Sequence, residues 1–193
     1  MAEKLSNTFW NDRYQTNEIG WDMGEISPPL KAYIDQLANK DLKILIPGAG
    51  NSYEAAYLFK NGFTAVHILD FAEKPMLDFL KRNPEFPLEN VHVGDFFEHE
   101  GSYDLILEQT LFCALDPSLR RSYAIKVAEL LLPKGKLVGL LFNKLFDSGP
   151  PFGGTKEEYL NYFVPDFESV EMNECYNSYP PRQGSELFIQ LVR

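Results

Sequence analysis

The alternation of short apolar runs with segments of helical spacing constrains this 193-residue chain more than any other feature. Leu42-Lys43-Ile44-Leu45-Ile46 is apolar and partly β-branched, ends at Pro47-Gly48-Ala49-Gly50, and reads as a buried strand. After Asn51 the period changes. Tyr53, Ala56, Tyr57 and Phe59 recur at helical spacing as far as Gly62, a helix stop. Residues 64–69 form the next strand, ending at Asp70, with a helix expected over Glu73–Arg82 behind it. Residues 90–93 are a third strand, ending at Gly94-Asp95, and residues 103–107 a fourth. Residues 117–132 read as one long amphipathic helix, with Pro117 in its first turn and Leu119, Tyr123, Val127 and Leu130-Leu131 on its buried stripe. Pro133-Lys134-Gly135 stops that helix, and residues 136–142 are a fifth strand. A Gly/Pro-rich loop over 148–154 leads to a short helix around Lys156–Phe163, and residues 167–176 and 187–192 are strands joined by a reversed connection. Parallel neighbours need crossovers, so this order predicts a doubly wound α/β fold with a mostly parallel, seven-stranded sheet. The C-terminal hairpin supplies an antiparallel edge strand. At this length a single domain over 1–193 is expected.

Acidic residues outnumber basic ones 28 to 18, a net charge of −10, and no basic patch exceeds Lys81-Arg82 or Arg120-Arg121. Phosphate backbones and anionic lipid repel such a chain, so neither nucleic acid nor membrane is an expected partner. No apolar run approaches the ~20 residues of a membrane span. The opening MAEKLSNTFW lacks the apolar core and cleavage site of a secretory signal, and a cytoplasmic location is expected. Cys113 and Cys175 are too few for a disulfide scaffold or a zinc site, and no metal site is expected.

In a doubly wound sheet the ligand lies at the carboxyl ends of the strands. After the first strand, Gly48 and Gly50 permit a tight turn and a close backbone approach, and the following helix offers free N–H groups. An ordinary strand-to-helix turn would look the same. Asp70 ends the second strand twenty residues after Gly50, where an acid accepts hydrogen bonds from ribose hydroxyls. Asp70-Phe71-Ala72-Glu73 also fits a helix-capping box, and both roles can hold together. Asp95 ends the third strand beside Phe96-Phe97, a carboxylate for an adenine amino group with an aromatic border for the base. The dinucleotide fingerprint fails, because its third glycine would fall at position 53, which is Tyr53. Loop, acid, then Gly-Asp-Phe is the order of S-adenosylmethionine-dependent methyltransferases.

Three further segments resemble the thiopurine methyltransferase superfamily, especially its halide/thiol (thiocyanate) methyltransferase branch. They are Trp10 with Trp21-Asp22-Met23-Gly24 and Ser27-Pro28-Pro29-Leu30, then Phe112-Cys113-Ala114-Leu115-Asp116-Pro117, then Leu132-Pro133-Lys134-Gly135 followed by Gly149-Pro150-Pro151-Phe152. With the strand-end motifs the likeness spans nearly the whole chain. It implies a Rossmann-like class I methyltransferase core over 40–193 and an N-terminal lid over 1–35, with S-adenosyl-L-methionine as cofactor. By resemblance, Trp10 and Trp21 pack around the methionine part of the cofactor, with Tyr14 on the same helical face. Gly48 borders the methionyl group, Asp70 binds ribose, Asp95 and Phe96 hold adenine, and Gln109 sits beside the cofactor on the floor of the acceptor pocket. The family's plant members carry a longer glycine run where this chain has Ala49 and Asn51-Ser52, and an aromatic where Gln109 stands.

A sulfonium is a cation, and Trp faces attract cations by ~0.5–2 kcal/mol, which supports an aromatic lid on physical grounds. Trp10 with Phe9 and Tyr14 could instead simply cover the core, and Trp21 could be a hydrophobic plug before a Pro28-Pro29 turn. The expected reaction moves a methyl group to a small soft nucleophile (thiol, bisulfide, thiocyanate or halide) by in-line displacement in a dry pocket, and needs no general base. No Ser/His/Asp set is present; His67, His92 and His99 read as structural, and Cys113 as a packing residue. Tyr14, Tyr179 and Arg182 are candidates to touch an anionic acceptor. Alternatives are a heterocyclic or aromatic thiol as acceptor, a non-catalytic S-adenosylmethionine-binding module, and a nucleotide-binding Rossmann-like protein. A monomer or weak homodimer is expected.

Overall fold

The computed structural model describes residues 5–193. Seven strands form one sheet in the order β3-β2-β1-β4-β5-β7-β6. They are β1 (Ile44–Pro47), β2 (Val66–Asp70), β3 (Val91–Val93), β4 (Tyr103–Gln109), β5 (Leu131–Phe142), β6 (Ser169–Glu174) and β7 (Glu186–Val192). Strands β1 to β5 pair in parallel, and β7 runs antiparallel to both β5 and β6. The doubly wound, mostly parallel sheet is therefore present, with the antiparallel strand of the hairpin lying beside β5 and β6 outermost. Strand order reverses between β1 and β4, where the chain leaves one half of the sheet for the other. That crevice is where a ligand site forms.

Helices α1 (Asn7–Thr16), α2 (Pro28–Ile34), α3 (Tyr53–Lys60), α4 (Glu73–Arg82), α5 (Leu111–Ala114), α6 (Arg120–Leu130) and α7 (Lys156–Phe163) complete the order. The core lies in two layers, one on each face of the sheet. Ile44, Ile46, Leu58, Phe63, Ile68 and Phe79 are in one, and Leu45, Ile106, Phe112, Tyr123, Val127 and Phe163 in the other. Side chains alternate faces along a strand, so Ile44 and Ile46 serve one layer and Leu45 the other.

The structure departs from the sequence reading in several local details. The buried stripe of α3 is Glu54, Ala55 and Leu58, while Tyr53, Ala56, Tyr57 and Phe59 are half-buried. The 117–132 helix divides into a 3-10 turn over Pro117–Leu119 and α6, and Leu119 is exposed. Strand β5 begins inside the Leu130-Leu131-Leu132 triplet because Leu131 is already extended and pairs with Tyr103. Pro133-Lys134-Gly135 is then a bulge within β5: Leu105, two residues on, pairs with Lys136. Finally, Pro28-Pro29 opens α2 rather than forming a turn.

Candidate active site

Strand ends of β1 to β4, the lid helix α1 and the loop before α7 enclose a cavity of about 1290 Å³. Trp10, Tyr14, Trp21, Gly48, Gly50, Asp70, Asp95, Phe96, Gln109 and Arg182 all line it. Residues 1–4 of the expected lid lie outside the described residues. The lid aromatics form one unit: Trp21 meets Trp10 edge-on at 5.5 Å and Tyr14 edge-on at 5.8 Å. Trp10 and Tyr14 share a face of α1 because they are one helical turn apart.

Several hydrogen bonds fasten the lid to the core. Asn11 Oδ1 accepts the N–H groups of Glu73 (3.1 Å) and Lys74 (3.3 Å). Asp22 accepts hydrogen bonds from the Asn51 amide, the Tyr53 hydroxyl (3.1 Å) and the Gly24 N–H (2.6 Å). Arg182 Nη2 donates to the Trp21 carbonyl at 2.7 Å. The first of these corrects the capping-box expectation. The N-cap of α4 is Ala72, which has no capping side chain, and the free N–H groups are satisfied by Asn11 from α1.

Asp70 is 8% exposed and orders the Gly48–Gly50 turn after β1. Its Oδ2 accepts the Gly50 N–H and its Oδ1 the Ala72 N–H, both at 2.8 Å. Burial raises its pKa, and these backbone donors oppose the rise. Each carboxylate oxygen keeps a lone pair for a further donor. Gly50 has φ +51°, and a Cβ there would lie 2.7 Å from the Tyr14 hydroxyl, so loop and lid meet with room only for backbone. Asp95 caps the 3-10 turn over Phe96–Glu98 through the Phe97 N–H at 2.9 Å, with its own carboxylate exposed and Phe96 buried.

Sequence reasoning missed four polar groups that hold this site. Glu108, in the middle of the apolar strand β4, is fully buried. Its Oε1 accepts the Phe112 N–H at 2.9 Å and its Oε2 the Tyr123 hydroxyl, which fixes α5 against the cavity. Burial pushes its pKa up to about 7. Glu54 accepts the Ser27 N–H at 3.2 Å, and burial raises its pKa too. Arg120, 1% exposed, donates to Glu158 (2.9 Å) and to the carbonyls of Phe152 (3.0 Å) and Gly153 (2.9 Å), fixing the 149–154 loop. Glu186 accepts from Arg182 at 3.5 Å. A charge inside an apolar run, as in Leu105-Ile106-Leu107-Glu108, was the available signal.

Cys113 is buried, and its pKa is pushed up to about 12 by burial and by the Glu108 charge, so it stays a thiol. His67, His92 and His99 form a half-buried row away from the cavity. His67 Nδ1 lies 3.1 Å from His92 Nε2, and His99 Nε2 lies 2.7 Å from the Tyr103 hydroxyl. Desolvation and neighbouring cations lower all three, His67 and His99 to about 4.

The cavity fits a cationic nucleoside. Two indole rings and a phenol wall one end, Asp70 stands at the second strand end, and Gln109 Oε1 is a buried acceptor without a partner. Sheet order, lid and strand-end acids together define the Rossmann-like class of S-adenosylmethionine-dependent methyltransferases. Solved members share the fold. The 1,6-didemethyltoxoflavin-N1-methyltransferase of Burkholderia thailandensis matches 97% of this chain and 86% of its own at TM-score 0.72 and 17% identity. Magnesium protoporphyrin IX methyltransferase of Synechocystis PCC 6803 matches 97% and 99% at TM-score 0.72 and 14% identity. Both were solved with S-adenosylhomocysteine bound. The family model for thiopurine S-methyltransferase matches residues 5–188, and the chain belongs to that family. Among curated relatives, a probable thiol methyltransferase 2 of Arabidopsis thaliana is 26% identical over 96% of this chain and 84% of its own length. Thiocyanate methyltransferase 1 of Brassica oleracea is 24% identical over 96% and 85%, and thiopurine S-methyltransferase of Pseudomonas fluorescens 29% over 80% and 80%. The protein is thus an S-adenosylmethionine-dependent methyltransferase acting on a small-molecule acceptor. Among the described residues no helix is long and apolar enough to cross a membrane.

Proposed function

We propose that this enzyme methylates a small thiol or a comparably soft anion. The observation that carries the reading is the Trp10–Tyr14–Trp21 wall over a cavity in which four strand ends converge. The cofactor supplies a methyl group already activated on a sulfonium. Aromatic faces stabilise that cation and exclude water. Asp70 takes the ribose hydroxyls, Asp95 and Phe96 the adenine, and the Gly48–Gly50 turn the methionyl backbone. Gln109 stands toward the acceptor. Neither Cys113, held as a thiol, nor Glu108, turned into the core on Phe112 and Tyr123, is poised as a general base. An acceptor that arrives as an anion, as a thiolate or bisulfide does, needs no such base. The thiol and thiocyanate activities of the plant relatives support this class, and the Pseudomonas relative supports a heterocyclic thiol as the second reading. We read residues 1–193 as one domain working in the cytoplasm as a monomer or weak homodimer, with no nucleic-acid partner.

Calorimetric titration with S-adenosylmethionine, S-adenosylhomocysteine and NAD tests the cofactor site. An assay for S-adenosylhomocysteine release with bisulfide, thiocyanate, iodide and an aryl thiol tests the acceptor. We expect binding of the first two and turnover on a sulfur nucleophile. Turnover on none of the four would overturn the acceptor class, and binding of NAD alone would overturn the site.

A further inference from the structure

Among the fastenings between lid and core, the Arg182 contact also borders the acceptor side of the cavity. Arg182 lines a small recess with Gln109, Thr110, Cys113, Phe142 and Glu186, and its guanidinium lies 5.6 Å from the centre of the Phe142 ring. Its Nη2 reaches the Trp21 carbonyl across 161 residues of sequence, at 2.7 Å, while Nη1 faces Glu186 Oε1 at 3.5 Å. The Arg182 and Glu186 side chains are only 12% and 3% exposed. A buried guanidinium needs a counter-charge, and a buried carboxylate needs a donor, so each holds the other in place. Arg182 is therefore committed to a carboxylate and a lid carbonyl.

We propose that Glu186 and Arg182 form a positioning pair that latches Trp21 over the cofactor site, and that Arg182 is not the receptor for an anionic acceptor. The physical consequence follows from where the bond lands. It holds the main chain of Trp21, whose ring is the piece that touches both Trp10 and Tyr14. Releasing it frees the central ring of the wall while the Asn11 and Asp22 fastenings remain. In this proposal that ring moves as cofactor enters and leaves, so latch strength sets cofactor retention, and the acceptor end of the cavity contributes to it through Arg182.

Trp10 and Trp21 are the only two tryptophans in the chain, so intrinsic fluorescence reports the lid directly. The variants are Arg182→Met, Arg182→Lys and Glu186→Gln, each checked for folding by far-ultraviolet circular dichroism and urea unfolding. Emission maximum and acrylamide quenching are recorded without ligand. The Kd for S-adenosylhomocysteine and the KM values for S-adenosylmethionine and for each acceptor follow. We expect Arg182→Met to red-shift the emission and to raise the S-adenosylhomocysteine Kd at least about fivefold, the size of one ordinary lost hydrogen bond. Glu186→Gln should move both readouts in the same direction by less, and Arg182→Lys should restore part of each. KM values for anionic acceptors should stay within about twofold, well under one tenfold step of binding energy. Native emission and Kd together with a tenfold higher acceptor KM would overturn the latch and make Arg182 the anion receptor. If Arg182→Met does not fold, Glu186→Gln and Arg182→Lys decide the question, and native emission in both refutes the proposal. The emission arm is read without cofactor, so a wild-type protein that binds no S-adenosylhomocysteine would refute the cofactor site and leave the latch measurable.

Discussion

Replacing Glu108 with Gln should make the protein more stable at alkaline pH and leave it almost unchanged near its acid limit. Glu108 is fully buried between β4 and α6, accepting from the Phe112 N–H and the Tyr123 hydroxyl. Burial lifts its pKa from 4.5 to about 7, so the native state holds its proton where the unfolded chain has released it. Below pH ~4.5 the group is neutral in both states and contributes no pH dependence. Between ~4.5 and ~7 the unfolded state binds fewer protons than the native state, so stability falls as pH rises. Above that window the full cost is present, about 2–4 kcal/mol for a displacement of this size. Glutamine is nearly isosteric, keeps an acceptor for the Phe112 N–H, and never ionises. Urea unfolding of both proteins at several pH values from 5.5 to 8.5 isolates the effect, because every other titrating group cancels in the difference. The stability gain of Glu108→Gln should grow with pH and level off near pH 8 at about 2–4 kcal/mol. A gain that is flat across pH, or a variant weaker than wild type at pH 8.5, would refute the assignment of a costly buried charge.

Arg120→Met should lower unfolding stability by about 2–4 kcal/mol, because two loop carbonyls and Glu158 lose their donor. The upper end is discounted because the Glu158 side chain is 36% exposed, and a loss under ~0.5 kcal/mol in urea unfolding would remove Arg120 as the loop anchor. Gly139→Ala should cost about 1–3 kcal/mol, since a Cβ there would overlap the Glu108 carbonyl on the neighbouring strand; an unchanged melting temperature would show that the strands separate freely. The histidine row gives the opposite pH slope to Glu108. Its pKa values are lowered, so its contribution is complete above ~pH 6.5 and is lost as pH falls toward ~4. His67→Gln should flatten the loss of melting temperature between pH 6.5 and 5, and an unaltered slope would exclude the row as its source.

The strand ends were legible in the sequence because their message is local. A strand of Ile, Leu and Val that stops at Gly48-Ala49-Gly50, Asp70 or Asp95 places those residues at one edge of any parallel sheet, whatever the packing. The aromatic lid was implied by the family resemblance, and spacing added that Trp10 and Tyr14 sit one helical turn apart. All of these residues line the same cavity. Partnership across the chain was not legible. Asp70 with Glu73 looked like a self-contained cap, yet the cap of α4 comes from Asn11, 62 residues away in sequence. Arg182 looked like a free cation for an anion until folding set it between Glu186 and the Trp21 carbonyl. Leu131 looked helical beside Leu130 because the triplet has no period of its own, and pairing with Tyr103 drew it into β5. Residue type and spacing determined the sheet and the edge at which its strand-end residues gather. Tertiary structure decided which buried charges are neutralised, by what, and what they hold, because a polar group taken out of water must find its partner wherever the fold brings one within reach.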